Sequence, residues 1–98
     1  MLIRVVRMTF QEDKVEEFLS VFNDTKEKIR HFEGCQHLEL LEDYHQSNVF
    51  LTYSYWENDQ ALDNYRHSEL FKNVWSKTKP LFVDKPIAFS SKQHTKVD

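Results

Sequence analysis

The sequence predicts an α+β domain of the ferredoxin-like kind, β-α-β-β-α-β, in which helices cover one face of a four-stranded antiparallel sheet. Three observations point there. A β-rich opening run gives way to one long stretch of helical apolar periodicity. Two further β-rich runs are then separated only by a short polar turn. Two short helical patterns with a break between them, and a last β-rich run after two prolines, complete the order.

Each element has its own signal. Ile3 to Phe10 is rich in Val, Ile and Met, with Arg4, Arg7 and Thr9 between, and reads as a strand. Asp13, followed three residues later by Glu16, has the form of an N-cap with a capping box. Val15, Phe18, Leu19, Phe22 and Ile29 then fall on one helical face, and Gly34 stands where a helix C′ residue with positive φ is wanted. CQHLELLEDY and VFLTYSYW flank the polar DYHQSN and should pair as an antiparallel hairpin. Asn58 caps a short helix through Ala61, Leu62 and Tyr65. Ser68 caps another carrying Leu70, Phe71, Val74 and Trp75, so the second helix is broken. IAFS forms the final strand, and SKQHTKVD is a polar tail. The expected organisation is one domain over residues 1–90 with a tail over 91–98.

The strands carry large apolar groups on both alternations. Phe50 and Trp56 point one way, while Val49, Leu51, Tyr53 and Tyr55 point the other. A sheet with one wet face should alternate more cleanly. A second copy packed against the open face resolves this, so a homodimer is expected. Arg4 and Arg7, at odd spacing, cannot share a face: one would meet an acidic partner across the dimer, the other solvent.

Composition removes several functions. Net charge is −3 with 13 basic and 16 acidic residues, so the basic footprint of nucleic-acid binding is missing. One glycine in 98 residues leaves no phosphate-cradling loop. The single cysteine, Cys35, rules out an internal disulfide or a CxxC pair. No run has the roughly 18 apolar residues of a membrane span, and MLIRVVRMTF is too short and too charged for a signal peptide. A soluble, cytoplasmic protein is the expectation.

The segment WENDQALDNYRHSELF, together with EGC after the long helix and the arginine-bearing first strand, resembles the antibiotic biosynthesis monooxygenase domain, a dimeric α/β-barrel family. The similarity runs over roughly residues 1–90. It implies a pocket in each subunit between helices and sheet. Some members oxidise phenolic or anthrone-type substrates with O2 and neither flavin nor metal; others degrade haem. The haem-degrading set of an Asn, a Trp and a His falls on Val6, Tyr65 and Trp75 here, none of which matches, and that chemistry is not expected. No cofactor and no metal is expected either.

Without a cofactor, the substrate must become an electron-rich anion before it meets O2. The protein then supplies a base, a hydrogen-bond donor for the anionic oxygen and a dry aromatic box. His37 and His67 are the candidate bases, and Tyr53 and Tyr65 the candidate donors. His37 and Glu39 share one strand face, as do Tyr53 and Tyr55 on the paired strand; if that face looks toward the helices, they enter the pocket together. His67, near a helix junction, has the plainer reading of a surface histidine. Histidine positions familiar in the family fall on Tyr65 and Leu70. Phe22, Trp56, Phe71, Trp75 and Phe82 would box a substrate, though core packing is the commoner reason for such residues and explains each of them first. The expected function is oxidation of a small aromatic or phenolic molecule by O2. The alternatives are a non-catalytic dimer that binds a small hydrophobic ligand, and an isomerase or mutarotase using His and Tyr.

Overall fold

A computed structural model describes residues 1–98. Strand β1 (Leu2–Thr9) passes through a single 3-10 turn into helix α1 (Val15–Arg30). The hairpin β2 (Cys35–Glu42) and β3 (Val49–Trp56) follows, then the short helices α2 (Asp59–Arg66) and α3 (Glu69–Thr78), and finally β4 (Ile87–Ser91). The sheet runs β2-β3-β1-β4 with every neighbour antiparallel. This is the expected ferredoxin-like arrangement, broken second helix included. Residues beyond Ser91 are exposed and carry no regular structure.

Local signals explain most boundaries. The Asn58 side chain accepts a hydrogen bond from the Ala61 N–H at 2.8 Å, and Ser68 Oγ accepts one from the Phe71 N–H at 3.1 Å. Both are the caps the sequence predicts, each satisfying an N–H that the first helical turn leaves without a partner. The start of α1 differs. Asp13 lies inside the 3-10 turn Glu12–Lys14, Lys14 takes the N-cap place, and no side chain caps the helix. Glu16 and Glu17 in the first turn still suit the helix dipole. In the hairpin loop the Asp43 carboxylate accepts from the N–H groups of His45 and Gln46, both at 3.0 Å, which fixes the reversal.

Gly34 has φ +91°, as expected, but α1 has already ended at Arg30, so the glycine serves the turn into β2 rather than the helix cap. Its missing side chain has a second use. A Cβ there would fall on the Cβ of Ala61, so the bare backbone is what allows α2 to lie against this turn.

Beyond Gly34 the ladder slips. Cys35 pairs with Trp56 but His37 with Tyr55, leaving Gln36 as the extra residue of a bulge. Cys35 therefore joins the helix-side core while His37, two residues on, faces the other way. Side chains of β1 and β3 divide by parity. Val6, Met8, Phe50, Ser54 and Trp56 lie under the helices; Ile3, Val5, Arg7, Leu51, Tyr53 and Tyr55 form the open face.

The helix-side core is split. One buried cluster holds Met8, Phe10, Phe18, Phe50 and Leu81; the other holds Ile29, Cys35, Trp56, Leu62 and Tyr65. Between them the sheet carries shorter groups: Ala88, Val6 and Thr52 in one cross-strand row, and Ser54 in the next. Large side chains at both ends hold the helices off the sheet, and small ones in the middle leave space beneath.

Candidate functional site

That space is a cavity of about 340 Å³, at the small end of the range for ligand pockets. Its floor is β1, β3 and β4 with Leu38 of β2, and its roof is α1, α2 and α3. Of the aromatic residues expected to box a substrate, Phe22, Trp56, Phe71 and Trp75 line it, and so does Tyr65. Trp56 stacks on Tyr65 with ring centroids 5.0 Å apart, Tyr65 meets Phe71 edge-on at 5.2 Å, and Phe71 stacks on Trp75 at 5.8 Å. Phe82 is not in the lining; it packs on Phe10 and against the edge of Trp75.

The polar groups in the cavity are few. Trp56 Nε1 donates to Ser54 Oγ at 3.0 Å, which anchors the indole. Thr78 Oγ1 donates back to the Val74 carbonyl. The Tyr65 hydroxyl bonds to no protein group, yet no fully buried side-chain polar atom is without a partner, so this hydroxyl keeps accessible surface on a residue that lines the cavity. Burial, and to a smaller extent the nearby Cys35, holds its pKa far above that of an ordinary phenol. Tyr65 is therefore a neutral donor at any physiological pH and not a base.

Neither candidate histidine reaches the cavity. His67 follows the last residue of α2 and its side chain is 76% exposed, with Nδ1 2.9 Å from the Asp63 carbonyl oxygen: the surface histidine of the plainer reading. His37, Glu39, Tyr53 and Tyr55 do share a face, but it is the open one. His37 Nε2 sits 2.8 Å from Glu39 Oε2, and the Tyr53 and Tyr55 hydroxyls are 3.0 Å apart. The His37 ring lies 4.8 Å from that of Tyr55. The hydrogen bond with Tyr53 raises the Tyr55 pKa. The condition for their entering the pocket is not met, because their alternation opposes Trp56 and Ser54.

Arginine was the residue type missed. Arg4 lines the cavity from the sheet and Arg66 from α2, whereas Arg7 lies on the open alternation. A period-two count from Val6 and Met8 already puts Arg4 on their side. Arg4 Nη1 donates to Ser90 Oγ at 3.1 Å. Burial, and secondarily the charge of Arg66, lowers its pKa from the usual value. Cys35 is buried, its thiol pKa is raised by that burial, and its Sγ lies 3.6 Å from the His37 carbonyl, so it is a core residue rather than a nucleophile. No three His, Cys, Asp or Glu side chains converge to hold a metal ion, and no helix is long and apolar enough to cross a membrane.

Comparison with known proteins fits this architecture. Residues 1–75 match the family model described as antibiotic biosynthesis monooxygenase. A crystal structure of an antibiotic biosynthesis monooxygenase superposes with TM-score 0.91 at 17% identity, covering 97% of this chain and 100% of that one. A conserved protein from Methanosarcina mazei Go1 gives TM-score 0.88 at 19% identity, over 95% and 93% of the two chains. A Mycobacterium tuberculosis protein gives 0.89 at 14%, over 99% and 98%. At such identities the structures share a fold. Among curated proteins, none matches.

Proposed function

Because the chain belongs to the antibiotic biosynthesis monooxygenase family, we propose that it oxidises a small aromatic or phenolic molecule with O2 in the helix-side cavity, without a cofactor, as one half of a homodimer. The observation that carries this reading is the cavity itself: a partly open aromatic box lined by Tyr65, whose hydroxyl has no protein partner and stays neutral at physiological pH. A planar substrate lies among Trp56, Tyr65, Phe71 and Trp75. Once it has lost a proton it is electron-rich enough to reduce O2 directly. For an anthrone-type methylene, the carbon gives up both hydrogens and four electrons; one oxygen atom becomes the new carbonyl and the other leaves as water. Tyr65 donates its hydrogen bond to the anionic oxygen of the substrate. The surrounding rings keep water from the reactive carbanion.

The placement of the histidines shapes the alternatives. An isomerase of the His–Tyr kind needs both groups at one site, and the grouping of that composition, His37 with Tyr53 and Tyr55, lies outside the cavity on the open face. The non-catalytic binding reading draws support from the same fact, since no histidine or carboxylate lines the cavity to act as base. Oxygen consumption decides between them. With anthrones and quinols in an oxygen electrode, purified protein should raise uptake well above the buffer rate, unchanged by chelator. Uptake at background across the panel, with the same compounds demonstrably bound, establishes the binding protein instead.

A further inference from the structure

We infer that the cavity receives its ligand as an anion, an aromatic body bearing one anionic oxygen group, with Arg4 and Arg66 as the pair that recognises it. This rests on the helix-side cavity being the ligand site and adds the charge of what enters.

Arg4 and Arg66 are the only charged residues in the lining; no Asp, Glu, Lys or His is among them. Neither takes part in any ion pair. Arg4 makes one side-chain hydrogen bond, to Ser90, and the Arg66 guanidinium makes none. Each guanidinium has five N–H donors in a planar fork, so most of this donor capacity is unused. The two come from different elements, β1 and α2, and meet at one cavity in a chain whose net charge is −3 with 16 acidic residues elsewhere. Arg4 is partly withdrawn from water while Arg66 stays exposed; the two like charges repel one another across the cavity, and no acidic side chain in the lining compensates them. An anionic oxygen between them does, through charge-assisted hydrogen bonds. The Tyr65 hydroxyl, on the residue before Arg66, gives a neutral donor to the same ligand.

The pair also answers the missing base. Two cations beside a substrate hydroxyl favour its ionised form, so its O–H bond breaks with the proton passing to solvent water at the cavity mouth, and no protein base is required.

Binding under argon tests this apart from oxidation. 2-Naphthoate and 2-naphthamide share an apolar body and differ in charge. The wild-type protein should bind naphthoate at least about tenfold more tightly, as expected for a hydrogen bond to a charged group. Arg66→Gln, at an exposed position that does not threaten folding, should remove a large part of that preference. Arg4→Gln with Arg66→Gln should abolish it while naphthamide affinity stays within about twofold; Lys77→Gln, the same charge change on the surface, should alter neither. In a third arm, the absorbance of bound 2-naphthol is followed against pH. A pKa about one unit or more below that of free naphthol makes the substrate hydroxyl the recognised group. An unshifted naphthol with the naphthoate preference intact makes it a fixed carboxylate. Equal affinity for naphthoate and naphthamide, a preference that survives the double substitution, or no binding of either at millimolar concentration overturns the inference. Failure to consume O2 leaves it standing.

Discussion

Tyr65 and Gly34 show how far a single residue can be read from sequence. The spacing of Ala61, Leu62 and Tyr65 places the tyrosine on the buried side of a short helix, and the structure puts it there, stacked on Trp56. What spacing could not show is that the hydroxyl is without a protein partner. Substitution Tyr65→Phe should leave folding intact and lower kcat for oxygen consumption by about a hundredfold, the scale for losing one donor to a developing oxyanion. The raised pKa also has a consequence for stability. Above pH ~10 the unfolded chain ionises this phenol while the folded one does not, so the unfolded state binds fewer protons and stability falls with rising pH. Urea midpoints measured from pH 8 to 11 should drop beyond pH ~10 with a limiting slope of about 1.4 kcal/mol per unit from this group, and Tyr65→Phe should flatten that part of the curve. Gly34 was legible as a positive-φ position, but its contact with Ala61 was not, because that depends on how α2 returns to the sheet. Gly34→Ala should cost about 2 kcal/mol or more from backbone strain and the clash together. A fall in Tm of at least roughly 8 °C by calorimetry checks it.

At the level of elements, the helices were the easier part. Asn58 and Ser68 cap where their residue types said, because a cap is a contact between neighbours in sequence. Asp13 failed for a tertiary reason. The chain leaves β1 through Phe10, which bridges to Phe82, and Gln11, whose carbonyl accepts from Lys14, so the 3-10 turn has begun before Asp13 can stand outside it. Strand faces were harder. Their period was legible, and His37 with Glu39 does share a side. Which side met the helices was not, since both alternations are rich in large apolar groups, and the bulge at Gln36 reverses the parity set by buried Cys35. That one residue is why the histidine expected in the pocket lies outside it. Helix α2, only eight residues long, relies on its cap and on packing of Leu62 and Tyr65. Asn58→Ala should cost about 1 kcal/mol, read as a shift in urea midpoint. It should also loosen the hold on Tyr65 and Arg66, weakening naphthoate binding more than Ser68→Ala, whose helix contributes no charged group to the cavity.

The whole molecule presents two unlike faces, and the division gives the homodimer its argument. On the side away from the cavity the cross-strand rows read Ile87–Arg7–Leu51–Leu41, Phe89–Val5–Tyr53–Glu39 and Ser91–Ile3–Tyr55–His37. No helix covers them: Ile87 is 56% exposed, Phe89 50% and Leu41 41%. Eight of those twelve are aliphatic, phenylalanine or tyrosine side chains running across all four strands, a continuous patch of the kind that marks a protein–protein interface. The polar groups in it are largely paired among themselves, His37 with Glu39 and Tyr53 with Tyr55, so a second copy could cover them without stranding an unmatched charge apart from Arg7. Sedimentation at micromolar concentration should therefore give twice the 11.9 kDa chain mass. Phe89→Asp, which sets a carboxylate in the middle row at the exposed edge, should shift the equilibrium to 11.9 kDa. Because Phe89 and the cavity lie on opposite sides of β4, the monomeric variant should still prefer naphthoate over naphthamide. A wild-type chain that sediments alone would remove the dimer and leave the cavity, and the two arginines in it, untouched.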